Sequence, residues 1–128
     1  MNNILENGSN WLEDMRHEHT TKLVRYKRGP VELDIQATIG KTIFKLGEGL
    51  GAEGRVVSRD YLVRAEDFAA LFPGTTPLRG DRIIEERGTI IMSHEVLAPG
   101  GEPHFRESDL YGKTLRIHTK LVKVENAP

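Results

Sequence analysis

The chain has 128 residues, 18 of them basic and 19 acidic, and 38% of its residues are hydrophobic. This length and polarity predict one globular domain over residues 1–128. The net charge of −1 gives no overall attraction to nucleic acid or to anionic membranes. The chain has no cysteine, which excludes disulfides, thiolate metal sites and a cysteine nucleophile. No apolar run approaches the roughly 20 residues of a membrane span, and no secretory pattern opens the chain, so we expect a cytoplasmic protein without a membrane partner.

The first predicted element is an amphipathic helix over residues 10–20. Ser9 or Asn10 can serve as the N-cap, and Glu13 follows Asn10 at the spacing of a capping box. Trp11, Leu12 and Met15 form a narrow apolar stripe on this helix. We therefore expect residues 1–21 to form a helical appendage that docks on a larger surface, either in this domain or in a neighbouring subunit.

The period changes from helical to two-residue after the appendage. Residues 22–28 and 31–38 alternate apolar and polar side chains, and Gly29-Pro30 between them predicts a β-hairpin. A further strand is expected at residues 41–46. A flexible loop is predicted to follow, because four of its eight residues are glycine and no apolar period is present. Its residues are Gly47, Glu48, Gly49, Leu50, Gly51, Ala52, Glu53 and Gly54.

The remainder of the chain repeats short strands and turns. We expect a short helix at residues 65–72, ended by Pro73-Gly74, and a turn at residues 77–81. The last residues, 125–128, are predicted to fray. This pattern predicts a mainly β fold, a small barrel or sandwich formed by residues 22–124. The strands are expected at residues 55–64, 82–86, 89–97 and 113–124.

Two apparent ligand motifs lack the required spacing. His17-Glu18-His19 places its imidazoles two residues apart, whereas helical zinc motifs use a spacing of four. The other histidines, His94, His104 and His118, do not complete a barrel-type metal set. The glycine-rich loop lacks the Gly-Lys-Ser/Thr of a phosphate loop, and a strand follows it instead of a helix. We expect no metal and no cofactor.

No acid–base pair or nucleophile emerges either. Glu85 and Glu86 are adjacent on a strand and face opposite ways. Asp60, Glu66 and Asp67 flank a strand-to-helix junction, where acidic residues act as caps. Ser93, His94 and Glu95 are contiguous in sequence, which is not the arrangement of a catalytic triad. The chain is therefore not expected to be an enzyme.

Two short surface motifs have a structural interpretation. Arg79-Gly80-Asp81 predicts a turn in which the aspartate bonds its own backbone. Basic residues cluster around Tyr26 in residues 22–28, and for a neutral chain we expect a solvated strand face.

A small barrel that binds a nucleotide or a single strand is the alternative function from a different class of protein, for which surface aromatics beside basic residues are expected. A metal-dependent barrel enzyme is less favoured still.

The order of several segments resembles a known family. The segments are WLEDMRHEH at 11–19, VRYKRG at 24–29, ATIG at 37–40, SRDYLVRAEDF at 58–68, PLRGDRI at 77–83, HEVLAPGGEP at 94–103 and LRIHTK at 115–120. In this order they resemble the head-to-tail joining proteins of tailed phages, also called head-closure, stopper or neck proteins. The resemblance covers residues 11–122.

The resemblance implies a structural virion protein that forms a homo-oligomeric ring, a hexamer or a dodecamer. Such a connector closes the DNA-filled capsid and provides the tail attachment surface. The implied partners are a portal or adaptor protein on the head side, a tail-terminator or tail-tube protein on the tail side, and genomic DNA passing through the channel. Assembly would take place in the host cytoplasm. The tail-terminator of the adjacent ring is a second possibility within the same particle.

The resemblance and the sequence features together suggest two functional segments. We expect residues 47–54 to project into the axial channel, where Glu48 and Glu53 would repel DNA phosphates. Trp11, Leu12 and Met15 are expected to bury against a neighbouring subunit or the portal-side ring.

Overall fold

Alternating apolar and polar residues form seven antiparallel strands and one short helix in the parts of the chain that the structure describes. The structure is a computed structural model, and it describes residues 21–45, 55–99 and 102–128. The elements are β1 (Thr21–Arg28), β2 (Val31–Lys45), β3 (Arg55–Arg64), α1 (Ala65–Leu71), β4 (Arg82–Arg87), β5 (Ile90–Val96), β6 (Phe105–Glu107) and β7 (Thr114–Asn126).

The sheet closes on itself. Its strands lie in the order β3-β2-β1-β4-β5-β7-β6, and β3 also pairs with β7. Six strands therefore form a continuous ring, to which β6 adds a short strand along β7. Full closure leaves no open edge in this ring, which is how small antiparallel proteins avoid edge-to-edge association. The predicted mainly β fold is confirmed, and the arrangement is a barrel.

Two tight hairpins set the register of the barrel. Arg28 pairs with Val31 across Gly29-Pro30, and Gly29 has a φ of 58°. A second two-residue loop contains Gly88, whose φ is 59°. Glycine adopts this left-handed conformation without the steric cost that a side chain would add. The hairpin at Gly29-Pro30 was expected from the sequence.

Strand β2 is longer than predicted. The separate strands expected at residues 31–38 and 41–46 are one continuous strand of 15 residues. Its first half pairs with β1 and its second half with β3, and the change of partner occurs at Thr38. Gly40 lies just beyond, where an added Cβ would come within 3.3 Å of Leu62 Cδ1. The glycine therefore allows close packing within the strand and does not interrupt it.

One short strand was not predicted, and one prediction about the end of the chain needs correction. The sequence did not indicate β6, which has only three residues. The expected fraying of residues 125–128 is wrong for its first part, because Glu125 and Asn126 pair with Ile91 and Ile90 of β5. The amide of Ala127 also donates to Thr89 O at 2.6 Å. The chain end is thus part of the sheet.

The apolar core lies inside the barrel, and α1 covers one end of it. Phe68 of α1 packs edge-to-face on Tyr26 with ring centroids 5.2 Å apart, and Phe72 lies 5.4 Å from the same ring. We name this the closed end. None of the helices in the described ranges is long and apolar enough to cross a membrane. The buried apolar residues of the core cluster are Val24, Tyr26, Ile35, Ala37, Tyr61, Val63, Phe68, Ile83, Val96 and Ile117.

Candidate partner-binding site at the open end of the barrel

The end of the barrel opposite α1 is formed by strands that extend beyond their neighbours. Strand β2 loses β1 as a partner after Thr38, and β3 pairs with β7 only from Arg59 onward. Residues 41–45 and 55–58 therefore form a two-stranded extension. At about 3.3 Å per residue it reaches about 13 Å beyond Arg59. We name this end the open end.

A second extension lies across the opening. Strand β4 pairs with β1 only over Arg82–Ile84, whereas the pairing of β4 with β5 continues to Arg87 and Ile90. Strand β7 follows β5 to Asn126. The ladder is interrupted between Ser93 and His94, which pair with Lys123 and Leu121, so Val122 is an extra residue in β7. A bulge of this kind bends the strand and increases its twist.

A cavity of about 550 Å3 separates the two extensions. Pockets of this size accept ligands as large as a drug molecule or a few side chains. Its lining residues come from β2, β3, β4, β5 and β7, so the barrel mouth itself forms it. The lining residues are Gly40, Lys41, Val57, Ser58, Arg59, Arg87, Met92, His94, Thr119, Lys120 and Leu121.

Two lining residues, Arg59 and His94, belong to a network around Glu85, whose side chain is fully buried and does not itself line the cavity. We name this network the floor of the mouth. Tyr61 OH donates to Glu85 Oε1, Arg59 Nε donates to the same oxygen at 2.7 Å, and Lys22 Nζ lies 3.1 Å from Oε2. Burial alone would raise the pKa of Glu85, but hydrogen bonds from Tyr61, Arg59 and Lys22 lower it below its usual value. Glu85 is therefore an anchored carboxylate that carries a negative charge at neutral pH.

His94 lies next to this carboxylate and remains neutral. Its Nδ1 is 3.0 Å from Tyr61 OH. Burial lowers the pKa of His94, and the positive charges of Arg59 and Arg87 lower it further, against the opposing effect of Glu85. The same burial raises the pKa of Tyr61, so both groups are neutral at physiological pH. The floor thus holds one buried acid, Glu85, whose negative charge is compensated by Arg59 and Lys22.

The rim of the mouth is basic and aliphatic. Lys41 and Lys120 are exposed, and neither has an ion-pair partner among residues 21–45, 55–99 and 102–128. Val57 is 60% exposed and Leu121 is 47% exposed, and both line the cavity. Apolar side chains continue along both extensions. This combination fits a protein segment with acidic and apolar side chains, since apolar contacts give affinity and charges give orientation.

The closed end is different, because its buried carboxylate, Asp81, and the groups around it bind one another. Tyr26 OH donates to Asp81 Oδ2 at 2.5 Å, and Arg28 Nη2 donates to the same oxygen at 2.8 Å. The amide of Leu78 also donates to this carboxylate at 3.0 Å, which confirms the predicted turn at Arg79-Gly80-Asp81. Arg28 stacks on Phe72 at 4.6 Å from the ring centre. These contacts fix the segment after α1 to β1.

A third buried carboxylate, Asp60, lies on the face of β3 that points away from the core. It accepts hydrogen bonds from Thr42, from Ser58 Oγ at 2.5 Å and from Arg116 Nη1 at 2.5 Å, and His118 Nδ1 lies 2.8 Å away. Burial opposes its ionisation, but these hydrogen bonds hold the pKa of Asp60 well below its usual range. The prediction that Asp60 caps the helix is wrong, because the residue cross-links β2, β3 and β7.

The geometry around His118 is not that of a catalytic triad. Ser58 Oγ lies 3.3 Å from His118 Nδ1, and Asp60 Oδ1 lies 2.8 Å from the same nitrogen. A triad needs the serine on one ring nitrogen and the carboxylate on the other. His118 Nε2 is buried and has no hydrogen-bond partner in the described part of the chain. The cluster therefore holds strands together and has no path for proton relay from the serine.

Other acidic residues behave as the sequence indicates. Glu66 and Asp67 occupy the first turn of α1, where the helix dipole favours them. Glu85 and Glu86 point to opposite faces, since the first is buried and the second is exposed. The predicted solvated basic face of β1 is only partly correct, because Lys22 reaches buried Glu85. In the described ranges, no group of three His, Cys, Asp or Glu residues could hold a metal ion.

Two sets of predicted functional residues lie outside the described residues. These are the loop of residues 47–54 and the stripe of Trp11, Leu12 and Met15. His17-Glu18-His19, which the sequence does not favour as a metal site, also lies outside the described residues. The structure does show where each segment joins the barrel. Residues 46–54 connect β2 to β3 at the tip of the first extension, and residues 1–20 precede Thr21, which begins β1. Both junctions are at the open end.

Sequence reasoning did not identify the open-end mouth or its buried acid. One signal was present in the two-residue period of β4, which places Glu85 on the same face as the core residue Ile83. A similar signal places Arg59 on the face of Tyr61 and Val63, which are core residues. The cavity itself depends on how strands distant in sequence close the barrel, which no local pattern encodes.

The comparison with protein families gives a clear match. The family model described as phage head-tail joining protein matches residues 2–126. A comparison with curated proteins finds no match. The family match includes the described barrel and both segments that join it at the open end, and it confirms the resemblance carried by the order of the sequence segments. The chain belongs to the family of phage head-tail joining proteins and is a structural component of the phage particle.

Proposed function

We propose that this protein is a ring-forming head-to-tail connector of the phage neck, which closes the DNA-filled capsid and presents the surface to which the tail attaches. Its partners are a portal or adaptor protein on the head side and a tail-terminator or tail-tube protein on the tail side. Copies assemble into a hexamer or dodecamer in the host cytoplasm. The observation that carries this proposal is the family match over residues 2–126.

The character of the exposed apolar residues supports a role in protein contacts. In the described ranges, the exposed large hydrophobic residues are all aliphatic. Base stacking on a single strand uses exposed aromatic rings, whereas aliphatic surfaces suit protein partners. The alternative of a nucleotide-binding or single-strand-binding barrel therefore has less support than a connector. Those residues are Leu23, Val31, Ile43, Val57, Leu78, Ile90, Leu110, Leu121, Val122 and Val124.

The loop of residues 47–54 is proposed to line the axial channel. The two-stranded extension of β2 and β3 supports this, because its ladder continues to Lys45 and Arg55 and carries the loop away from the barrel. Glu48 and Glu53 would place negative charge near the DNA phosphates and oppose their passage or escape. Deleting residues 47–54 should release packaged DNA from assembled heads. Unchanged DNA retention would contradict this role.

A matched variant separates charge from length in this test. Replacing Glu48 and Glu53 by glutamine keeps the loop length and removes both charges. If repulsion is the mechanism, the double variant should lose retention as the deletion does. Loss in the deletion alone would mean that the loop acts as a steric plug.

Trp11, Leu12 and Met15 are proposed to bury against a neighbouring subunit or the portal-side ring. Large aromatic side chains at the centre of an interface commonly dominate its binding energy. Trp11→Ala should weaken assembly at least tenfold while the barrel stays folded. If Trp11→Ala assembles at the same concentration as the unaltered protein, the proposal is contradicted.

The central experiment measures the mass of the purified protein alone and with candidate neck proteins from the same particle. Light scattering gives the mass, and negative-stain imaging shows the shape of any large species. A ring on the portal or adaptor supports the connector. A ring that forms only on the tail tube would instead assign the tail-terminator position. A monomer that binds none of the neck proteins and retains a nucleotide would overturn both the connector and the tail-terminator assignment.

A further inference from the structure

Charge is unevenly divided between the described barrel and the segments at its open end. Residues 1–20 contain four acidic side chains and one basic one, and residues 46–54 contain two acidic and no basic ones. The remaining residues therefore carry 17 basic and 13 acidic side chains, a net charge of +4 against a total of −1. Opposite charges on two parts of one chain favour an association between them or between copies.

Part of the basic charge lies where the N-terminal segment joins the barrel. Strand β1 starts at Thr21 at the open end, and the side chain of the next residue, Lys22, already contacts Glu85 on the floor of the mouth. Lys41 and Lys120 stand on the rim of the same mouth. Residues 1–20 thus leave the barrel beside its basic and apolar opening.

The chemistry of the segment matches that of the mouth. On the predicted helix, Trp11, Leu12 and Met15 would form an apolar stripe, and Glu13, Asp14 and Glu18 lie between and after them in sequence. The mouth offers apolar walls at Val57, Met92 and Leu121 and lysines on its rim, and its volume of about 550 Å3 is large enough to receive an indole ring with an aliphatic neighbour. An amphipathic helix that lays its apolar face into a groove is a common mode of peptide recognition.

We propose that the mouth of each barrel binds residues 10–20 of a neighbouring copy. The proposal rests on the ring-forming function and assigns the receptor for the N-terminal segment within that ring. A neighbouring copy is favoured over the same chain because residues 11–20 contain no glycine or proline to reverse the chain. The helix that the sequence predicts over residues 10–20 would be about 16 Å long, which would carry Trp11 away from its own mouth.

Cysteine cross-linking tests the proposal directly, because the natural chain has no cysteine. Met15→Cys and Leu121→Cys are made as separate proteins, mixed in equal amounts on the portal-side assembly platform and treated with a bismaleimide. The mixture should give covalent dimers, and neither variant alone should do so. As a control, Leu110→Cys replaces Leu121→Cys in the mixture. Leu110 is 84% exposed and precedes β7 at the closed end, so no dimer should form.

Three other outcomes overturn the proposal. Dimers with Leu110→Cys as abundant as those with Leu121→Cys would mean random collision. Cross-linking of a Met15→Cys, Leu121→Cys double variant within a single chain would mean that the segment binds its own barrel. Rings that form without any cross-link would mean that the mouth is not the receptor, while the connector function stands. Absence of rings with every neck partner would instead count against the connector function.

Charge reversal provides an independent measurement on the full chain. Lys41→Glu with Lys120→Glu should weaken ring assembly at least tenfold, because the acidic segment would then face acidic residues on the rim. Arg79→Glu is the control, since Arg79 is exposed near the closed end. Circular dichroism checks that all variants remain folded. Equal assembly of the rim variant and the unaltered protein would overturn the proposal.

Discussion

The two ends of the barrel use the same residue types for different purposes. At the closed end, Asp81 joins Tyr26, Arg28 and a backbone amide, and aromatic rings cover the network. At the open end, Glu85 is equally buried, but the lysines above it are exposed and aliphatic side chains line the opening. The closed end therefore contributes mainly to stability. The open end retains charge and apolar surface that folding has not used.

The largest expected effect on stability comes from breaking the closed end. Asp81→Ala removes the acceptor of Tyr26 OH and the counter-charge of Arg28. Loss of one partner from a largely buried ion pair costs about 3–5 kcal/mol. Urea denaturation measures the free energy of unfolding. Asp34→Ala is the control at an exposed aspartate and should change stability by less than about 0.5 kcal/mol. Equal values for both variants would contradict a structural role for Asp81.

The next effect sharpens the comparison at the open end. Glu85→Gln keeps the shape of the side chain but removes the charge that Arg59 and Lys22 share. Hydrogen bonds to charged groups contribute about 1.5–3 kcal/mol, and we expect a loss of that size. Its exposed neighbour provides the control, since Glu86→Gln should stay within about 0.5 kcal/mol. A stability loss shared by both variants would show that burial of Glu85 is unimportant.

A third effect is the pH dependence that His94 introduces. The pKa of His94 in the folded protein lies below its value of 6.5 in the unfolded chain. As the pH falls, His94 of the unfolded chain therefore binds a proton at a higher pH than His94 of the folded protein. This contribution to stability is complete above pH 6.5 and is lost toward the folded pKa, with a slope of up to about 1.4 kcal/mol per pH unit. Stability curves between pH 7 and 5 should be flatter for His94→Gln. Parallel curves for the two proteins would contradict a buried neutral His94.

The smallest effect on stability separates folding from assembly. Leu121 and Leu78 are each 47% exposed, the first at the open end and the second at the closed end. Either leucine replaced by serine should change the free energy of unfolding by less than about 0.5 kcal/mol. Only Leu121→Ser should weaken ring assembly, measured by light scattering on the portal-side platform. Equal assembly of both variants would remove the functional difference between the two ends.

The sequence predicts most of the strands because alternation is a local property. Residues 31–38 alternate cleanly, and glycine marks the hairpins at Gly29 and Gly88, so these elements match the structure. Strand β6 is three residues long and has too few positions for a period to appear. Gly40 lies in the gap between the strands expected at residues 31–38 and 41–46, yet its missing side chain serves a close contact with Leu62.

The charged interior was harder to predict for a different reason. Their charge alone would assign Asp60 and Glu85 to solvent, although the two-residue period of β4 places Glu85 on the core face. Only their partners make burial of these charges acceptable. Those partners, Arg116 for the first and Arg59 for the second, are 56 and 26 residues away in sequence. Pairings at such separations follow from barrel closure. A single sequence therefore reveals the charges but not their compensation.

The continuous β2 strand also has a mechanical consequence. Its 15 residues run from the hairpin at Gly29-Pro30 to the base of the loop at residues 46–54, and each half is bonded to a different neighbour. A force that pulls the loop along this strand would load both ladders in shear. The hydrogen bonds of both ladders would then resist the force together instead of breaking one after another. The barrel can thus carry tension from the loop to the far end of the sheet through one unbroken piece of backbone.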